Sequence, residues 1–334
     1  MSANARYKAF VIVGLILVVV GSLIALASGR YGLTTTEIVR VLLTGTEDVS
    51  KTAQAVLFNV RIPRVVLALV AGAGLAAAGA AFQSVFSNPL ATPDTLGVAS
   101  GAAFGAVLAI LLGFDAFWIQ AASFVMGLIA VVLVYSVSRI RGQNTVLMLI
   151  LSGLVIAALF SALISLVKYV ADPQDVLPAI TFWMMGSLTG ANKELLTVGV
   201  PFIVVGCLVI YALRWKFNAL SLPDAEAKSL GIPVVRLRVL AILSATLISA
   251  SVVSMCGLIG WVGLLIPHFV RLVVGNNNLR VIPSGLIYGA LFMLVCDTVA
   301  RSATQMEIPV SILTALIGAP VFLLLLRSNF SIRR

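Results

Sequence analysis

The chain has 334 residues, 61% of them hydrophobic and 10% charged. A soluble domain carries about a quarter charged residues, so the composition, with a mean hydropathy of +1.14, excludes an ordinary water-soluble fold and indicates a polytopic membrane protein. Three cysteines (Cys207, Cys256, Cys296), all in apolar segments, give no metal or disulfide pattern, and a single histidine, His268, excludes a multi-histidine metal site.

A bilayer core needs about 20 apolar residues per helix. Apolar runs predict ten spans, at about 9–28, 62–86, 95–112, 116–137, 146–170, 194–213, 239–258, 261–274, 281–301 and 309–327, so the fold class is all-α, a single transmembrane domain over 1–334. The first run is too long for a signal-peptide core and reads as a retained helix. The segment 29–61 is a long loop, in which Thr34-Thr35-Thr36-Glu37 fits a capping box opening a short interfacial helix through Leu43. Arg61 and Arg64 follow at the mouth of the second span. They read either as snorkelling side chains or as a docking site for acidic groups of an external partner.

The second span is rich in Gly and Ala, which let helices approach closely in a membrane. It breaks at 83–94, where Asn88-Pro89-Leu90 and a second proline, Pro93, suggest a pore mouth, since irregular backbone near a membrane lines protein or a water-filled cavity. Gly97, Gly101 and Gly105 then mark another close-packing face. In the fifth span Ser161, Ser165 and Lys168 share one face; they line a polar passage, or the serines bond their own helix while Lys168 snorkels. The apolar piece 176–188 is too short to cross and reads as re-entrant or interfacial. The eighth span, with Gly257, Gly260, Gly263 and Pro267, reads as broken or partial. Asp297 and Arg301, four apart in the ninth, ease each other's burial, with Arg301 pointing outward.

Between the sixth and seventh spans lies a polar island, 216–238. Within it Pro223-Asp224-Ala225-Glu226-Ala227-Lys228-Ser229-Leu230 predicts a short helix, with acids early and Lys228 late as the helix dipole favours, stopped by Gly231 and Pro233. It reads as a solvated loop or as a handle for a soluble partner. Placing the N-terminus inside puts 14 of the 22 Lys and Arg on the inner side with three of the 12 acids. That satisfies the positive-inside rule, puts both termini and the island in the cytoplasm, and explains the net charge of +10 without nucleic acid. No phosphate-binding Gly-rich loop occurs, so any nucleotide chemistry would sit on another chain.

Six stretches together resemble the permease subunit of type II ABC importers for iron–siderophore, haem and vitamin B12: R-I-P-R-V (61–65), G-A-A-F-Q-S-V-F-S-N-P-L-A-T-P-D-T-L-G-V-A-S-G (79–101), F-W-M-M-G-S-L-T-G-A (182–191), A-K-S-L-G-I (227–232), G-L-I-G-W-V-G-L-L-I-P-H-F-V-R-L (257–272) and E-I-P-V-S-I-L-T-A-L-I-G-A-P-V-F (307–322). They run in order over nearly the whole chain. The resemblance implies a dimer of ten-helix subunits, with a second copy or a close paralogue, and a passage at the dimer axis. It also implies two cytoplasmic ABC ATPases, which hold the ATP and magnesium, and an external substrate-binding protein. No cofactor is expected in this chain itself. Segment 220–231 matches the coupling helix that the ATPase grips. Arg61, Arg64 and Arg301 match positions that receive glutamates of the binding protein. Asn88, Pro89 and Leu90 match one part of the cytoplasmic gate, and Asn144, Thr145, Val146 and Leu147 fall where a second part lies. His268 reads as structural or interfacial.

The expected function is ATP-driven import of a ferric siderophore or similar chelate across a bacterial inner membrane, with haem, vitamin B12 or an oxyanion such as molybdate as alternatives. An ion-coupled secondary transporter would carry ionisable residues at mid-span, which the sequence nearly lacks. A membrane-embedded enzyme would need a catalytic cluster, and none stands out.

Overall fold

The computed structural model describes residues 3–29, 32, 38, 41, 50–140, 143–144, 146–222 and 224–331. Twelve helices make up nearly all of it: α1 (Ala3–Ala27), α2 (Lys51–Val85), α3 (Val98–Leu111), α4 (Ala116–Ser138), α5 (Val146–Val170), α6 (Val176–Met184), α7 (Lys193–Leu213), α8 (Asp224–Ser229), α9 (Val234–Cys256), α10 (Val262–Val274), α11 (Asn278–Ser302) and α12 (Val310–Ser331). The only strands among the described residues are two-residue pieces, β1 (Arg139–Ile140) and β2 (Gln143–Asn144), paired as a hairpin between α4 and α5. Seven helices are long and apolar enough to cross a membrane, and α3, α10 and α12 are shorter apolar helices, which together match the ten predicted spans. The nine-residue α6 is the piece predicted to be too short to cross. Of the loop after α1, Thr34 to Glu37 lie outside the described residues; Ile38 and Val41 are helical and buried.

Helices α2 and α9 form the centre, with 78% of the apolar window of each buried, against 17% for α1. The small residues of α2 make this possible. A Cβ on Gly72 would strike the carbonyl of Gly289 in α11 and lie 2.6 Å from Met293 Cβ, and one on Gly79 would strike the backbone of Gly263 in α10. Helices α3 and α4 meet in the same way at Gly101, where a Cβ would come within 2.6 Å of Ala130 Cβ. Without a hydrophobic drive between helices in lipid, such backbone contact is what holds them. The outward faces of α1, α5 and α7 carry exposed Ile16, Val19, Leu154, Val155, Val205 and Leu208, as a lipid-facing surface requires.

Two helices are interrupted. Near the start of α2 the backbone widens to a π turn over Leu57–Arg61, just before Pro63, which has no N–H to give the ladder. Helix α9 ends at Gly257 (φ +70), and α10 restarts after Trp261, whose φ of 72 is unusual for a side chain of that size. The predicted partial eighth span is therefore thirteen residues of helix behind an unwound segment. That segment is packed hard: Ser187 N–H donates to the Cys256 carbonyl at 2.8 Å, and Val310 N–H donates to the Gly186 carbonyl at 3.0 Å. Three of the family-like stretches, around 186, 257 and 310, thus meet at one point.

Candidate translocation site and coupling elements

At the end of the bundle where α1 finishes and α2 begins, five charged residues converge. Asp297, fully buried on α11, accepts from Arg64 Nε at 2.9 and 3.2 Å and pairs with Arg64 Nη2 at 2.9 Å. Its second oxygen lies 3.7 Å from Arg301 Nε. Glu307, on the loop after α11, takes the rest of Arg64, at 3.1 Å from Nη1 and 2.9 Å from Nη2, and also accepts from Thr189 Oγ1 at 2.8 Å. Arg61 Nη1 donates to the carbonyls of Leu26 at 2.6 Å and Ala27 at 3.3 Å, and Arg301 Nη2 donates to that of Ala25. These carbonyls close the last turn of α1, where no intrahelical donor remains and the dipole favours a cation.

Arg61, Arg64 and Arg301 lie together at one end of the bundle but are buried, so the snorkelling reading of Arg61 and Arg64 does not hold. They are 3%, 5% and 8% exposed, drawn inward by Asp297 and by the α1 carbonyls. Only Glu307, with a third of its side chain exposed, brings the cluster to the surface.

At the other end α2 stops at Val85. Ser87 takes φ 46, Asn88, Pro89 and Leu90 are exposed, and the Leu90 N–H donates to Asn88 Oδ1 at 2.9 Å. Of the segment expected to form a second part of the gate, Asn144 is in β2, Thr145 lies outside the described residues, and Val146 and Leu147 open α5, with Leu147 exposed. The two segments come to the same end by helix alternation.

The polar island folds as a 3-10 turn over Lys216–Ser221 and then α8. Phe217 and Leu220 are buried and pin the turn to the bundle, and Ala227 seats α8. Glu226, Lys228, Ser229 and Leu230 face outward, Leu230 being 66% exposed. The backbone of Asp224 and Ala225 is helical; Pro223 lies outside the described residues. Gly231, at φ +75, ends the helix as predicted. One contact has no signal in the sequence: Ser87 Oγ donates to the Leu220 carbonyl at 3.0 Å, joining the α2–α3 break directly to the turn beneath α8. On the same turn Asn218 bonds Asn277 Oδ1 at 2.9 Å and the Asn278 N–H at 2.8 Å, at the start of α11.

A cavity of about 330 Å³ lies between α2, α3, α5, α9 and the unwound segment before α10. Asp94, Ser100, Ser161, Ser249 and Trp261 line it. Ser161 is exposed on α5, and its carbonyl accepts from Ser165 Oγ at 2.9 Å, so the serines do bond their own helix while Ser161 also faces the cavity; Lys168 is half-buried and not part of the lining. A larger cavity, about 720 Å³, lies away from these groups, beside Phe117, Phe182 and Trp183. His268 is buried edge-on to Phe322, with ring centroids 5.5 Å apart, a packing position. The three cysteines are free thiols, two buried and one half-buried.

Residues 16–328 match the model of the FecCD transport family. The chain belongs to that family. It is 43% identical over 310 residues, 92% of each chain, to the molybdate import system permease protein of Haemophilus influenzae. It is 40% identical, over 81% of this chain and 82% of the relative, to a Helicobacter pylori permease named for iron chelatin transport. Among solved structures it superposes on one described as a metal-chelate type ABC transporter in an inward-facing conformation, with a TM-score of 0.87 and 40% identity over 96% of this chain and 99% of the other. This FecCD protein is therefore an all-helical, multi-pass ABC importer permease, a class of transport subunit that implies ATPase and substrate-binding partners.

Proposed function

We propose that this chain is the membrane-spanning half of an ATP-driven importer in a bacterial inner membrane. It pairs with a second copy, and a ferric siderophore or similar metal chelate passes along the axis between them. Both termini and α8 are cytoplasmic. Two ATPase subunits grip the outward side chains of α8, and an external binding protein docks over the arginine cluster. The observation that carries the reading is the connected path from α8 to the break after α2. Helix α8 is too short to be stable alone and sits on a turn whose buried Phe217 and Leu220 transmit its displacement. Ser87 receives that displacement through Leu220, one residue from Asn88-Pro89-Leu90. ATP-driven closure of the partner subunits thus reaches the cytoplasmic gate by a direct bond. At the outer face, a partner carboxylate replaces Glu307 on Arg64, because Glu307 is the exposed member of the cluster.

The deciding experiment is reconstitution with the ATPase and binding protein in vesicles. Uptake that continues with ion gradients collapsed and stops on ATP depletion supports the reading; the reverse pattern favours an ion-coupled carrier. Molybdate is the second reading of the cargo, favoured by the 43% identical relative named for it. The ligand that co-purifies with the binding protein separates the two.

A further inference from the structure

The cavity beside Asp94 sits at mid-depth in the bundle: Leu75 is near the middle of the Ile62–Val85 stretch of α2, and Ser161 is just past the middle of α5. The segment after α2 turns back into the protein, so Asp94 reaches a level where the sequence shows no ionisable residue on the neighbouring spans. It is the one charged side chain of the lining, is exposed to the cavity, and has no ion-pair partner among the described residues. An ionisable group at such depth is costly and marks a pathway by default. A second observation points to an occupant. Ser249, 2% exposed on α9, lines the same cavity, and its hydroxyl has no hydrogen-bond partner. A buried hydroxyl left unpaired is destabilising, and a polar group in the cavity relieves it. The first turns of α3 and α10 also contribute Ala99, Ser100, Gly263 and Leu264 to the wall. Their N-terminal ends bring partial positive charge to the same wall.

We infer that this cavity is a transit site on the passage, and that Asp94 makes it accept neutral or cationic faces of a cargo while rejecting free oxyanions. The inference rests on the proposed passage between two copies, with the exposed Ser161 side of α5 turned toward it. The site offers a carboxylate, the hydroxyls of Ser100, Ser161 and Ser249, and the indole of Trp261, a set suited to a chelate bearing amino or hydroxyl groups. A free dianion would meet Asp94 with no base to compensate. Removing the carboxylate leaves the two helix ends unopposed, which reverses the preference.

The test uses the assembled importer in vesicles and two thiol reagents of similar size, a trimethylammonium and a sulfonate methanethiosulfonate, on Ser161→Cys. The parent chain, whose cysteines are buried or half-buried, gives the background. With Asp94 present the cationic reagent reacts faster by roughly fivefold, the ratio for two opposite charges near one carboxylate in a wet cavity. In Asp94→Asn the ratio falls to parity or inverts. Ser165→Cys, one turn away and outside the lining, shows the same ratio in both backgrounds. Ser100→Cys, half-buried in the same lining, is the second reporter and follows Ser161→Cys. A ratio unaffected by Asp94→Asn, or reporters that neither reagent reaches, overturns the inference. ATP-driven uptake is measured on the same vesicles: an Asp94-dependent ratio without ATP-driven uptake sinks the proposed function and leaves the charge filter standing.

Discussion

Arg64 and Asp297 form a buried ion pair 2.9 Å apart that joins α2 to α11. Removing one member of a buried pair costs about 3–5 kcal/mol when the other charge is left uncompensated; here Arg301, 3.7 Å from Asp297, offsets part of that cost. Arg64→Ala is still expected to lower the unfolding midpoint in detergent. Glu307→Ala removes only the exposed partner of Arg64 and should cost below about 1 kcal/mol. The two variants separate structure from docking. Under the proposed exchange at the outer face, Glu307→Ala strengthens association with the binding protein, because Arg64 no longer has to be released. An unchanged or weakened association in Glu307→Ala rejects that exchange while leaving the structural role of Arg64 intact.

The glycine contacts of α2 give a second prediction. A methyl at Gly79 or Gly289 would meet backbone, which cannot swing aside as a flexible side chain can. Gly79→Ala and Gly289→Ala are each expected to destabilise by about 1–3 kcal/mol, the range for overpacked sites. Gly285, on the same helix as Gly289, has open space where a methyl would sit, with no neighbouring heavy atom within 4 Å. Gly285→Ala should be neutral or slightly stabilising, since Ala is the better helix former. Unfolding midpoints measured side by side check the contrast; equal losses at all three positions would show that the close backbone contacts at Gly79 and Gly289 do not govern the outcome.

The spans and the tight helix contacts were legible in the sequence because the bilayer demands long apolar runs and because small residues at helical spacing have one main use there. The short α8 was legible too, since its acids, Lys228 and Gly231 each obey a local rule about helix ends. The partners of the arginines were not. Arg64 is separated from Asp297 by 233 residues and from Glu307 by 243, and no local pattern links them. A cue did exist: Asp297 and Glu307 are the only acids after Glu226, so few counterions were available to the bases placed outside. The depth of Asp94 was hidden for a different reason. A stretch with two prolines, Pro89 and Pro93, and polar residues around them looks like a surface loop, and only the tertiary fold shows that it turns back between α2, α5 and α9.

The outward face of α8 supports a prediction about the ATPase. Burying an exposed leucine at an interface contributes about 1.5–3 kcal/mol, so Leu230→Asp is expected to weaken binding of the ATPase subunit at least tenfold. The unfolding midpoint should hold, because Leu230 is 66% exposed and contributes little to the fold. Ala227→Leu is the counterpart: Ala227 is 1% exposed, and a larger side chain there lifts α8 from its seat. Co-purification with the ATPase reads both variants. Full binding by Leu230→Asp would move the ATPase contact away from this helix.

The bond from Ser87 to the Leu220 carbonyl is the narrowest point of the proposed path, and two substitutions isolate it. Ser87→Ala removes the hydroxyl and keeps a side chain at φ 46, where L-residues are strained. Ser87→Gly removes the hydroxyl and relieves the strain. A hydrogen bond of this kind contributes about 0.5–1.5 kcal/mol net, which corresponds to roughly a two- to twelvefold effect on a coupling equilibrium. Uptake per ATP hydrolysed should fall by about that factor in both variants, while ATP turnover by the assembled complex stays near normal, since the hydrolysis site is on other chains. Loss in Ser87→Ala alone would assign the effect to backbone strain. Full coupling in both would mean that α8 drives the gate by another route, and the paired asparagines Asn218 and Asn277 at the start of α11 would be the next contact to cut.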